Sequence, residues 1–313
     1  MKIVFLDSSS LGKKDLSRFE KLGTFLEYPT TSKEELKDRI EDADIIITNK
    51  VLLGKSELLM AKQLKLVCIA ATGVNNIDLF AAKELGIKVI NVKDYSTESV
   101  AQITLTYILN LSSSLIEYNN LSKSGKWSES PIFTRLDFPF SNLKGKKLGI
   151  IGYGAIGRRV AELAQVFGMK PLISERPRTD NKTPNRIEFD TVVSESDFIS
   201  IHAPLNKNTE NLFDLNTLKK MKNTAFLINT ARGPIINEDD LFIALKEGVI
   251  KGAAIDVMKS EPPKAENPLF SLPNIIITPH MAWASDESIS TLLDGIEYNI
   301  NNFFEGTLTE LIE

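Results

Sequence analysis

The stretch Lys146–Gly168, KKLGIIGYGAIGRRVAELAQVFG, constrains the fold of this chain more than any other. A short apolar run, Lys147–Ile151, leads directly into Gly152, Gly154 and Gly157 in GxGxxG spacing. Val160, Leu163, Ala164 and Phe167 then recur at helical intervals until Gly168 stops the pattern. Strand, glycine turn and helix in immediate succession are the parts of a dinucleotide-binding unit. Gly152 allows the tight turn, Gly154 lets the backbone approach a pyrophosphate, and Gly157 lets the helix pack close to its strand. Ala155 and Ile156 open the helix, where free N–H groups and the positive end of the dipole make an anion site.

Glycine-rich turns are common, so the motif needs context. A second apolar stretch, Leu172–Ser174, ends in Glu175 about 18 residues beyond Gly157. There the dinucleotide fold places the carboxylate that binds the adenosine ribose hydroxyls. An acid at this point repels a 2′-phosphate, which favours NAD over NADP. Arg176 and Arg178 are the nearby guanidinium groups that could accept that phosphate instead.

A chain of 313 residues has room for two domains with their own cores. Its 42% hydrophobic and 25% charged residues are ordinary for a globular protein. A net charge of −4, spread without long runs, argues against nucleic acid as the main partner. The single Cys68 cannot form an internal disulfide and reads as a buried strand residue in a reducing compartment. MKIVFLDSSS lacks the long apolar core and cleavage site of a signal peptide, and no apolar stretch approaches the ~18 residues of a membrane span. A cytoplasmic location is the default expectation.

Before the glycine motif, strand signals at Lys2–Leu6, Thr24–Tyr28, Asp44–Thr48, Leu66–Ala71 and Lys88–Val92 alternate with helical patterns. The latter fall near Leu11–Leu22, Lys33–Ile40, Lys55–Ala61 and Leu79–Leu85. Such alternation implies a parallel sheet with helices on its faces. Thr97–Ser124 reads as one long helix with apolar residues on more than one face, and Trp127–Leu143 as an ordered surface arm.

After the motif, strands recur at Phe198–Ala203, Ala225–Thr230, Ala253–Val257 and Ile275–Thr278, and an amphipathic helix, Ser285–Phe304, closes the chain. The expected α/β architecture is two doubly wound parallel-sheet domains. Residues 97–284 form a Rossmann-type domain inserted in a smaller, flavodoxin-like one made of 1–96 and 285–313.

In an open α/β sheet, ligands sit outside the carboxyl ends of the strands. The run ending at Asn229 delivers Thr230, Ala231 and Arg232. Ala253–Ile255 delivers Asp256 with Glu261 beyond it, and Ile275–Thr278 delivers Pro279 and His280. A guanidinium fork matches a carboxylate bidentately, and an imidazole exchanges protons near neutrality. A carboxylate beside that imidazole orients it and favours its charged form. Together these suit the interconversion of a 2-oxo and a 2-hydroxy acid. The only other histidine, His202, reads as support for the cofactor site. The acids and histidines are too dispersed for a metal site.

NTARG (Asn229–Gly233), AAIDV with the following EP (Ala253–Pro262), TPH (Thr278–His280) and ATGVNNID (Ala71–Asp78) resemble the D-isomer-specific 2-hydroxyacid dehydrogenases. TNK (Thr48–Lys50), YSTESVAQ (Tyr95–Gln102) and HMAWAS (His280–Ser285) resemble that family's glycerate dehydrogenase, or hydroxypyruvate reductase, branch. The resemblance implies an NAD-dependent oxidoreductase with Arg232, Glu261 and His280 as catalytic residues. Asp256 would hold the nicotinamide carboxamide, and Ala203, Pro204, Thr209, Thr230 and Ala231 would line the cofactor. Gly73 and Val74 would present backbone N–H groups to the substrate, Trp283 would close the pocket, and the assembly would be a homodimer. D-lactate and broad-range 2-ketoacid reductases are the rival enzymes, and NADH-sensing corepressors the rival outside catalysis.

Overall fold

The computed structural model describes residues 1–179, 183–308 and 311–312. The chain divides into two compact units, Met1–Ser96 with Ala284–Glu313, and Thr97–Trp283, so Ala284 belongs to the first and not, as expected, to the second.

In the first unit the strands β1 (Lys2–Phe5), β2 (Thr24–Glu27), β3 (Ile45–Thr48), β4 (Leu66–Ile69) and β5 (Lys88–Asn91) form one parallel sheet. Their order, β2-β1-β3-β4-β5, is the flavodoxin-like one, with its switch point between β1 and β3. β3 (IIIT) and β4 (LVCI) are buried throughout, as continuous apolar runs must be in a sheet covered on both faces. Helices α1 (Lys33–Ile40), α2 (Lys55–Met60) and α3 (Leu79–Glu84) add Leu36, Ile40, Leu58, Ala81 and Ala82 to the core. A Ser32/Glu35 capping box starts α1.

The C-terminal helix, Asp286–Glu305, packs on β4 and buries Ile289, Leu292, Leu293, Ile296 and Ile300. The expected helix Leu11–Leu22 is instead two 3₁₀ turns, Ser8–Leu11 and Ser17–Leu22. Gly12, at φ 71°, ends the first turn before an α-helix can propagate.

The second unit opens with α4 (Thr97–Ser113) and α5 (Leu115–Lys123), which meet at 63°. One unbroken helix was expected here. Ser114 sits between the two in the left-handed region at φ 52°, and its hydroxyl donates to Pro139 O at 2.9 Å. Ser112 and Ser113 both turn their hydroxyls onto Leu109 O, the local competition that bends helices. Among the described residues no single helix is long and apolar enough to cross a membrane.

The second sheet holds β6 (Lys147–Ile151), β7 (Lys170–Ile173), β8 (Phe198–Ile201), β9 (Phe226–Asn229), β10 (Gly252–Ile255) and β11 (Ile275–Ile277). All pairs are parallel, in the order β11-β10-β9-β8-β6-β7. Its helices are α6 (Ala155–Val166), α7 (Phe189–Glu195), α8 (Leu215–Leu218) and α9 (Glu238–Lys246). Ala101, Leu105, Tyr107 and Ile108 of α4 pack with Val160, Ala161 and Ala164 of α6 on one core, and Val192, Phe213, Leu218 and Leu241 fill the other.

Candidate active site

The carboxyl end of β6 passes into the glycine turn. Gly152 lies at φ 93°, and a Cβ there would sit 2.5 Å from Ala203 N, so only glycine fits beside β8. A Cβ on Gly157 would run into the carbonyl oxygen of Gly152. Gly154 is different: a Cβ there would meet no atom within 4 Å. It caps α6, whose first intrahelical bond is Arg158 N to Gly154 O at 3.0 Å. The amides of Ala155, Ile156 and Gly157 therefore head the helix without an intrahelical acceptor. Open space above three such amides fits a pyrophosphate.

Glu175 follows β7 and is 8% exposed. Its carboxylate accepts the amide N–H groups of Thr183 at 2.6 Å and Arg176 at 3.0 Å. The Thr183 donor holds it below the usual carboxylate range. The Glu175 carboxylate thus stays ionised and braces its own loop. Arg178 donates to Glu210 O and Asn211 O. A third cation, Arg186, stacks 4.6 Å above the Tyr153 ring within the glycine motif, and no sequence pattern had singled it out.

Beyond β8, Ala203 is buried and Pro204 exposed. Thr209 is buried, donating to Pro204 O at 2.7 Å and accepting from Asn206 N at 2.8 Å. It closes this loop. His202 lies within 2.8 Å of the Ser200 hydroxyl through Nε2, and burial pushes its pKa down to about 3, so it stays neutral.

Beyond β9, buried Asn229 orders the turn: its Oδ1 accepts Ala231 N at 3.0 Å and its Nδ2 donates to Arg232 O at 2.9 Å. Thr230 Oγ1 lies 3.3 Å from Thr104 Oγ1 of α4. The half-buried Arg232 directs Nη1 to Ala231 O at 2.7 Å. At the next residue, Gly233, a Cβ would collide with the backbone of Met258 and Lys259. Glycine thus lets the arginine turn lie directly on the loop that carries Glu261.

Glu261 joins the two remaining loops. Its Oε1 accepts Met258 N at 3.0 Å, and its Oε2 lies 2.7 Å from His280 Nδ1. Side-chain exposures of 36% for Glu261 and 25% for His280 leave the pair reachable by a small molecule. His280 occupies the left-handed region at φ 51°, a conformation that persists only where its surroundings enforce it. Here the enforcing bonds are His280 N to Asp256 O at 2.8 Å and Trp283 Nε1 to His280 O at 2.9 Å.

Asp256 is 2% exposed, with both oxygens taken. Thr278 Oγ1 donates to Oδ1 at 2.5 Å, Met281 N to Oδ1 at 2.9 Å, and Ala282 N to Oδ2 at 2.8 Å. Asp256 is thus a buried anchor of the His280 loop. Buried Tyr107 extends this network through a hydrogen bond to Thr278, and Ser99 Oγ donates to Ala282 O at 2.6 Å. These α4 partners had no motif to betray them.

In the first unit Gly73 and Val74 form a half-buried turn after β4, closed by Ile77 N to Val74 O at 3.3 Å.

The family described as "D-isomer specific 2-hydroxyacid dehydrogenase, NAD binding domain" matches residues 105–282. A glycerate dehydrogenase of Methylorubrum extorquens is 38% identical over 315 residues, covering 100% of this chain and 99% of its own length. A hydroxypyruvate reductase of Blautia hydrogenotrophica is 38% identical over 320 residues, with the same coverage. Among solved structures, D-lactate dehydrogenase from Aquifex aeolicus, complexed with NAD and lactic acid, superposes with a TM-score of 0.84 at 28% identity, over 98% of this chain and 96% of its own.

Proposed function

This chain belongs to the D-isomer specific 2-hydroxyacid dehydrogenase family, and on that premise we propose that it interconverts hydroxypyruvate and D-glycerate through Arg232, Glu261 and His280. The family makes it an NAD-dependent oxidoreductase acting on a small 2-hydroxy acid. The choice of hydroxypyruvate rests on the two full-length relatives named for that pair, together with the TNK, YSTESVAQ and HMAWAS segments.

The 2.7 Å contact between His280 and Glu261 carries the mechanistic reading. Bound NADH supplies the hydride. Arg232 holds the substrate carboxylate in its guanidinium fork and polarises the adjacent carbonyl. With Nδ1 engaged by Glu261, His280 Nε2 gives a proton to the carbonyl oxygen as it gains charge, and takes it back in the oxidative direction. Glu261 orients the ring through that contact. Gly73 and Val74 offer backbone N–H groups to the substrate carboxylate, and Trp283 closes over the substrate. Residues 97–283 serve as the NAD-binding domain and the first unit as the substrate domain. The amides of Ala155, Ile156 and Gly157 hold the pyrophosphate, while Ala203, Pro204, Thr230 and Ala231 line the cofactor.

A homodimer is supported by the arm after α5. Trp127, Ile132, Phe133, Leu136 and Phe140 are exposed there, Phe133 by 91%, apolar side chains that a second subunit would cover. A cytoplasmic location accords with Cys68, whose thiol is buried and pushed up in pKa by that burial.

The test is steady-state oxidation of NADH and NADPH with hydroxypyruvate, pyruvate and glyoxylate in parallel. The reading expects the highest kcat/KM with hydroxypyruvate and NADH. NADH binding without turnover on any 2-oxo acid would refute it in favour of a sensor.

A further inference from the structure

We propose that Asp7, remote in sequence from every catalytic motif, is a positioning residue for the substrate turn. This rests on the reading that the Gly73–Val74 amides receive the substrate carboxylate.

Asp7 follows β1, at the switch point where the first sheet reverses its order between β1 and β3. It is 7% exposed, and its carboxylate is spent on the segment after β3: Oδ1 accepts Asn49 N at 2.9 Å and Oδ2 accepts Lys50 N at 2.6 Å. Asn49 Nδ2 adds a bond to Ser10 Oγ at 3.1 Å. The chain leaving this clamp is zipped at once to the substrate turn. Leu53 N donates to Asn76 O at 2.8 Å, Asp78 N to Leu53 O at 3.0 Å, and Asn76 Nδ2 to Val51 O at 3.2 Å. Leu53 is fully buried beneath these bonds. A rail of five residues, 49–53, therefore runs from the Asp7 carboxylate to the far side of the Gly73–Val74 turn. On the near side Asn91 Nδ2 donates to Thr72 O at 2.5 Å. The turn has no regular secondary structure of its own, so the placement of its amides is inherited from these two ends.

The Asp7 carboxylate accepts both rail amides. An asparagine of the same shape has one acceptor and turns an N–H pair toward the other amide, so one charge-assisted bond becomes a clash of donors. Asp7→Asn should raise KM for the 2-oxo acid about tenfold, the worth of one such bond, while kcat and KM for NADH stay within about twofold. Asn76→Ala, which removes the Asn76 Nδ2–Val51 O bond at the rail's other end, should raise the same KM. The double variant should be no worse than the poorer single one, because both break one path.

Unchanged 2-oxo acid KM in Asp7→Asn, equal shifts in both substrates' KM, or multiplicative effects in the double variant would overturn the assignment. Should Asp7→Asn not fold, an unchanged KM in Asn76→Ala overturns it equally. A wild-type chain that turns over no 2-oxo acid defeats the functional reading itself, and this inference with it.

Discussion

The glycine motif offers a sharp separation between a glycine needed for folding and one needed for binding. At Gly154 the backbone is extended, φ −79° and ψ −160°, and a methyl group would point into open space. Alanine is a poorer N-cap than glycine by a few tenths of a kcal/mol to about 1 kcal/mol. It regains roughly 0.4–1 kcal/mol by restricting the unfolded chain. The net change in stability should lie within about 0.5 kcal/mol, a shift in Tm of less than about 2 °C for a domain of this size.

The same methyl group occupies the space over the first amides of α6, however. Loss of one or two hydrogen bonds to a charged phosphate, each about 1.5–3 kcal/mol, should weaken NADH binding by roughly tenfold to 10⁴-fold. Gly157→Ala should do the reverse of this for stability. Its methyl would collide with Gly152 O and lie 3.3 Å from Ile150 Cγ2, which forces the helix off its strand. Overpacking of that kind costs about 1–3 kcal/mol, and helix propensity returns only about 1. Thermal melts of both variants without ligand, with NADH titrations followed by fluorescence, read the two effects separately. The reasoning is refuted if Gly154→Ala binds NADH as wild type does, or melts as low as Gly157→Ala.

The catalytic assignments are tested directly by kinetics. His280→Ala should lower turnover ~10²–10⁴-fold, the usual worth of a positioned acid or base, and wild-type turnover in that variant would remove His280 from the mechanism. Arg232→Lys should raise KM for the 2-oxo acid about 10–100-fold, because an ammonium loses the bidentate fork; an unchanged KM would argue against the clamp. His202 gives a pH signature. Its folded pKa, about 3, lies below the unfolded value of 6.5, so between these values the unfolded chain binds more protons. Its contribution is complete above about pH 6.5 and is lost as pH falls toward 3, at up to about 1.4 kcal/mol per pH unit. Denaturant melts of His202→Gln should show a shallower acid dependence between pH 6.5 and 4.5, and an identical slope would show that the ring is not held neutral.

Periodicity and glycine spacing alone specified two parallel α/β sheets, because strands such as IIIT and KLGII and the helices between them are encoded locally. The contact between the distant Glu261 and His280 was also legible, since each follows a strand and strand ends converge in such a sheet. What local pattern could not specify were the bonds that side chains choose after folding. Asp256 and Thr209 turn inward to anchor loops, Glu175 folds onto Thr183, and Ser114 breaks a helix whose apolar spacing continues across it. Asp7 and Tyr107 gain their roles from partners 42 and 171 residues away. A buried carboxylate or hydroxyl must find donors wherever packing brings them, and only the tertiary structure decides which amides those are.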